Sequence, residues 1–206
     1  MNVRIGTSGW SYPSWRPGFY PAGADSSTFL GYYAERFPTV ELNTTGYRLP
    51  AEDQFRRWAE QVPDGFEFAP KLPGHRLRAL DEFATRARTL GDRLGPVRVS
   101  LKNARDDGVL ELLLGSLDPA LRLAFDLEHP SWTGIEERLA EGGAVRVNDL
   151  DHPAPFRYLR RREPPDEAFA STILAATEPV YVYFRHDEAP TAHAYAAKLL
   201  ELLSAA

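Results

Sequence analysis

The stretch Leu121 to Trp132, LRLAFDLEHPSW, constrains this chain more than any other. Leu121, Leu123, Phe125 and Leu127 are large and apolar at every second position, with Arg122, Ala124, Asp126 and Glu128 between them. Successive side chains of a strand point to opposite faces, so this predicts a strand that is greasy outside and carries carboxylates inside. It ends in a turn through His129-Pro130-Ser131 and Trp132. The same one-sided polarity recurs along the chain. Arg4, Gly6 and Ser8 alternate in the first strand, Glu41 and Asn43 in the second, Glu67 and Lys71 in the third, Arg98, Ser100 and Lys102 in the fourth. Arg146 and Asn148 would share the inner face of a sixth strand over Ala144 to Asn148. Tyr158 and Arg160 do so in a seventh, Tyr181, Tyr183 and Arg185 in an eighth.

Between these strands lie apolar residues at helical spacing. Phe29, Leu30, Tyr33 and Phe37 follow a cap at Ser26 or Ser27, and Phe55, Trp58, Ala59 and Val62 follow Ala51. Leu80, Phe83, Ala87 and Leu90 make a third stripe. Further helices are expected over Val109 to Leu114, Ile135 to Ala140, Asp166 to Thr177 and at the end of the chain. Asp149 to Pro155 is too short and proline-rich for one. Eight strands alternating with seven helices call for a parallel sheet. An open doubly wound sheet would need near-continuous apolar runs in its central strands, because both faces are covered. Charge on one face of every strand points instead to an α/β TIM (β/α)8 barrel, at the small end of its size range. It would lack the helix between strands six and seven and form a single domain over residues 1–206.

Composition narrows the classes of function. The 206 residues are 43% hydrophobic and 26% charged, ordinary for a soluble enzyme-sized domain. No apolar run is long enough to span a bilayer, and Met1 leads straight into a strand-like segment, so neither a membrane anchor nor a leader is expected and the cytoplasm is the expected compartment. The absence of cysteine excludes disulfides, thiolate metal sites and a cysteine nucleophile. A net charge of −5 argues against a general basic coat for nucleic acid. The aromatic content of 12% leaves two roles for the rings, packing under helices or lining a pocket.

Three motifs carry a resemblance. IGTSGWSYPSW at the first strand, VELNTTGYRLP at the second and HPSW after the fifth resemble the domain-of-unknown-function 72 family, the YecE-like proteins, in order and over essentially the whole chain. The resemblance implies a bacterial or archaeal TIM barrel without an established reaction, similar in shape to endonuclease IV and xylose isomerase barrels. Lys71 aligns with the family's lysine after the third strand. Departures cluster at the mouth of what looks like a shortened, divergent member. Glu128-His129 stands where the family tends to have Arg-His, Arg160-Arg161-Arg162-Glu163 replaces Arg-x-His-Gly, and Phe184-Arg185-His186 replaces Phe-Asn-Asn.

TIM-barrel active sites lie at the C-terminal ends of the strands. Ser8, Asn43, Lys71, Lys102, Glu128, Asn148, Arg160 and Arg185 fall there, with Trp10, Tyr47, His75, His129, Asp149, His186 and Asp187 on adjoining loops. Deeper, Arg4, Arg98 and Arg146 would neutralise Glu41, Glu67 and Asp126. Lys71, Lys102, Arg160 and Arg185, ringed by Trp10, Tyr12 and Tyr47, suggest an anionic ligand with a stackable part, because guanidinium forks suit phosphate and carboxylate. The candidate ligand-binding residues are therefore Trp10, Asn43, Tyr47, Lys71, Lys102, Arg160, Arg185 and His186. Glu128 and His129 are candidate acid and base. Glu128, Asp149 and Asp187 could equally pair the cations off. Glu128, His129, Asp149, His186 and Asp187 are metal-ligand types but lack a spaced pair, so neither metal nor cofactor is expected. Two classes stay open: a hydrolase or lyase acting on a phosphorylated or nucleic-acid substrate, and a protein that holds an anionic small molecule or nucleic acid without turning it over. The sharpest expectation is that Arg160 and Arg185, on neighbouring strands, grip one phosphate, so that Arg160→Ala or Arg185→Ala weakens anion binding while leaving the fold intact or slightly more stable.

Overall fold

Period-two alternation becomes eight parallel strands, and the apolar stripes become the helices that cover them. The computed structural model describes residues 2–73, 80–116, 120–186 and 190–205; His75 and Asp187, expected at the mouth, lie outside the described residues. In order the elements are β1 (Val3–Ser8), α1 (Phe29–Ala34), β2 (Thr39–Leu42), α2 (Glu52–Glu60), β3 (Glu67–Pro73), α3 (Leu80–Arg88), β4 (Val97–Leu101) and α4 (Asp107–Ser116). Then come β5 (Leu123–Leu127), α5 (Glu136–Glu141), β6 (Val145–Arg146), β7 (Arg157–Arg161), α6 (Glu167–Ala175), β8 (Val180–Phe184) and α7 (Ala192–Ser204). The strands follow one another around the sheet as β6-β5-β4-β3-β2-β1-β8-β7. The result is a nearly closed α/β barrel with no helix between β6 and β7.

The remaining gap is bridged by one residue. Asn148 donates its backbone N–H to the Tyr158 carbonyl at 3.0 Å and accepts the Arg160 N–H on its side-chain oxygen at 2.7 Å. It does so at φ +64°, a left-handed conformation that asparagine tolerates better than most residues.

Two apolar layers lie between sheet and helices. Ile5, Val40, Phe68 and Val182 pack with Phe29, Leu30, Phe55 and Leu199. Val97, Val99, Leu123 and Phe125 pack with Phe83, Leu113 and Leu139. Each fully buried side chain of this kind contributes about 1.5–3 kcal/mol. Trp15 and Trp132 are both buried, and most aromatic rings serve this packing. Asp25, rather than Ser26 or Ser27, caps the turn that leads into α1. Asp166 caps α6 by accepting from the Phe169 N–H at 2.8 Å.

One strand turns out the other way round. β6 is only two residues long, and its Val145 lies in register with the inward Ala124 of β5, while Arg146 lies opposite the outward Phe125. In-register neighbours share a face, so Val145 and Val147 fill the barrel and Arg146 leaves it. Its guanidinium pairs with Glu136 at the start of α5 and donates to the Trp132 carbonyl at 3.3 Å. Arg146 is therefore not a member of the interior network.

Candidate functional site

The barrel interior is filled in two charged tiers separated by tyrosines. In the lower tier Glu67 is held by Arg4 Nε at 2.7 Å, Arg122 Nη2 at 2.8 Å and the Tyr181 hydroxyl at 2.9 Å. Arg122 takes the place expected for Arg146; it lies on the inward face of the β5 alternation, which was the signal for it. Above it Thr39 gives its one hydroxyl proton to the Glu67 carbonyl at 2.7 Å, so the Tyr183 hydroxyl, 2.8 Å away, donates to Thr39.

The upper tier is built around Glu41, which has no solvent exposure. Its Oε1 accepts from the Tyr158 hydroxyl at 2.8 Å and Arg160 Nε at 2.9 Å; its Oε2 accepts from the Ser8 hydroxyl at 2.5 Å and Arg160 Nη2 at 3.0 Å. Arg98 Nε lies 2.9 Å from the same Oε1, a charge contact whose N–H is not aimed along the line, so no hydrogen bond forms there. Arg98 Nη1 and Arg160 Nη1 both reach Asp126 Oδ2, at 2.6 and 3.2 Å, and Arg98 Nη2 donates to Asn43 Oδ1 at 2.8 Å. Burial by itself pushes the Glu41 carboxyl up, but Arg98, Arg160 and the Ser8 hydroxyl outweigh it and hold it at about 2. Arg98 and Arg160 are thus matched one for one by Glu41 and Asp126.

Lys71 is not matched. It follows Ala69 on the inward face of β3, in register with Arg98. The Thr45 hydroxyl oxygen accepts the Lys71 N–H at 2.8 Å, which ties the end of β3 to the turn after β2. The side-chain stem crosses directly over Gly46, where a Cβ would stand 2.6 Å from Lys71 Cδ. The residue is largely buried, and its Nζ lies 5.2 Å from the ring centre of Tyr47. Among the described residues no carboxylate comes within ion-pairing distance of that ammonium. Burial, then the positive charge of Arg98, depress its pKa below the usual lysine value; Glu41 opposes them, and Arg160 and Lys102 act in the lowering direction.

The other expected residues are dispersed around this centre. Lys102 and Glu128 form an exposed pair at 3.4 Å, of a kind worth little in water. His129 accepts the Ser131 N–H on Nδ1 at 3.2 Å and so caps the turn after β5. Trp10 sits edge-on to Trp58 of α2 at 5.3 Å and close to Phe68, in the layer outside the barrel. His186 stacks on Tyr12 at 3.9 Å and accepts from Trp15 Nε1 at 3.2 Å. Arg185 is half-buried one residue past β8, its N–H donating to the Arg161 carbonyl at 2.8 Å. Tyr47 is 70% exposed at the rim. Asp149 pairs with His152 at 3.0 Å in the β6–β7 connection. A cavity of about 910 Å³ opens beside the charged centre, between the β1 loop, the turn after β2 and α2, lined by Trp10, Tyr12, Asn43, Tyr47, Gln54 and Trp58 among others.

A family model described as "Protein of unknown function DUF72" matches residues 4–206. The chain belongs to the DUF72 family. Among similar proteins, the UPF0759 protein YecE of Escherichia coli K12 is 32% identical over 215 residues, covering 90% of this chain and 75% of that one. The YecE of E. coli O157:H7 is 30% identical with the same coverage. A crystal structure of a DUF72 family protein from Enterococcus faecalis V583 superimposes with a TM-score of 0.74 over 98% of this chain and 97% of that one, at 17% identity, a likeness in fold. No helix among the described residues of this DUF72 barrel is long and apolar enough to cross a membrane.

Proposed function

We propose that the barrel mouth binds a small anionic ligand, bearing phosphate or carboxylate, with Lys71 as its charged contact. The observation that carries this reading is the surplus of charge at the upper tier: Arg98 and Arg160 are neutralised by Glu41 and Asp126, whereas among the described residues no carboxylate lies within ion-pairing distance of Lys71. A largely buried ammonium without an ion-pair partner of its own is costly and is relieved by an anion entering from solvent. Asn43 and the exposed ring of Tyr47 flank the approach, and the adjoining cavity has room for the rest of such a molecule. The net charge of −5 favours a small ligand over a nucleic acid, which would meet an overall repulsive field.

A hydrolase or lyase using Glu128 and His129 has less support, because one is paired with Lys102 and the other caps a turn. Calorimetric titration with inorganic phosphate, a sugar phosphate and a nucleoside monophosphate tests the binding reading. Lys71→Met should weaken the best of these at least about tenfold, the loss of one charge-assisted contact of roughly 1.5–3 kcal/mol. Equal affinity in parent and variant would sink it.

A further inference from the structure

We infer that the Lys71 amine forms an imine with a ligand that carries an aldehyde or ketone beside its anionic group. This deepens the anion-site reading and rests on it. Three observations place a reactive amine here. The stem is trapped between the strand and Gly46, where even one methyl group would collide with it, so the amine is presented in one direction. Among the described residues no oxygen accepts a hydrogen bond from Nζ, which leaves the nitrogen available to a carbonyl carbon. Cations outnumber the one carboxylate that acts on it: Arg98 is in register beside it, with Arg160 and Lys102 near enough to act on its charge, against Glu41. These surroundings disfavour the protonated, unreactive form, in line with the depressed pKa, and at the same time attract an anionic electrophile.

The step balances without any further reactant. The neutral amine attacks the carbonyl carbon and forms a C–N bond. The carbonyl oxygen then departs as water with the two amine protons, leaving a C=N bond. Protonation of the imine nitrogen restores the positive charge that the anionic group of the ligand faces. A glycine under the stem, and neighbouring guanidinium groups that already occupy the nearby carboxylates, favour such a lysine; a lysine that only balanced charge would be served by an adjacent carboxylate of its own.

The chain offers a clean test because it has only three lysines, Lys71, Lys102 and Lys198. The intact protein is incubated near neutral pH with pyridoxal 5′-phosphate as probe, reduced with borohydride and mapped by mass spectrometry, with the α-amine scored separately. A solvated lysine with a pKa of about 10.4 is almost wholly protonated there. Labelling of Lys71 is expected to exceed that of Lys102 and of Lys198 at least tenfold, and to disappear in Lys71→Met while the other two are unchanged. Labelling spread evenly over the three lysines would overturn the proposal. So would calorimetric binding of the probe that depends on Lys71 but leaves no label on it, an outcome that keeps the anion site. Pyridoxal without its phosphate separates the two ideas from the other side: equally fast labelling of Lys71 supports the imine and overturns the anion site.

Discussion

Glu41→Gln is expected to lower the melting temperature by roughly 6–20 °C, the equivalent of about 3–5 kcal/mol for a chain of this size. The substitution keeps the shape of a side chain with no solvent exposure, removes its charge, and turns one acceptor oxygen into an NH2 that faces donors from Arg160 and from Ser8 or Tyr158. Arg98 and Arg160 would then share Asp126 alone, at 2.6 and 3.2 Å, and one buried guanidinium would be left without a counter-ion. Acid titration gives a second reading of the same pair. The Glu41 carboxyl is held at about 2 in the fold against an ordinary value of 4.5. A depressed carboxyl stabilises the fold fully above pH 4.5, and that contribution is lost as the pH falls through 4.5 towards 2. It is on the order of 3 kcal/mol in the parent. Urea unfolding across this window should therefore fall off less steeply in Glu41→Gln than in the parent. Parallel pH profiles, or a melting shift of under about 2 °C, would show that Glu41 does not carry this load.

Arg160→Met is the second large effect, expected to destabilise by about 3 kcal/mol. Arg160 binds both oxygens of Glu41 and reaches Asp126 with a side chain that is only 8% exposed. Read from sequence, the same residue stands at the rim beside Arg185, and its loss weakens anion binding while leaving the fold intact or slightly more stable. The geometry reverses that expectation, because Arg160 reaches a buried carboxylate and is saturated by it. Arg98 still holds Glu41 in the variant, so anion binding through Lys71 should survive wherever the protein is folded. Chemical denaturation of Glu41→Gln, Arg160→Met and the double variant completes the test: the double should cost less than the sum of the singles by about 0.5–3 kcal/mol. If Arg160→Met matches the parent in stability but loses phosphate binding, Arg160 belongs to the ligand and not to the fold.

What the sequence by itself determined was everything that follows from periodicity over enough residues. Four or more alternating residues in each of five strands put Arg4, Glu41, Glu67, Arg98 and Asp126 inside the barrel, where they are found. Proline-rich brevity from Asp149 to Pro155 marked the missing helix. Where the repeat is short, alternation loses its phase. A two-residue β6 takes its facing from the neighbour it pairs with, and Ala124 opposite Val145 is what sent Arg146 outward to Glu136. Tertiary structure alone decided which partner each long cation chose. Arg160, Lys71 and Lys102 all start from strand ends near the mouth, yet Arg160 descends to Glu41, Lys102 meets Glu128 in solvent, and Lys71 lies over Gly46 with no carboxylate in ion-pairing distance among the described residues. Those choices depend on where counter-charges and free space lie across the barrel, between residues as distant in the chain as Glu41 and Arg160, and no local pattern encodes that distance.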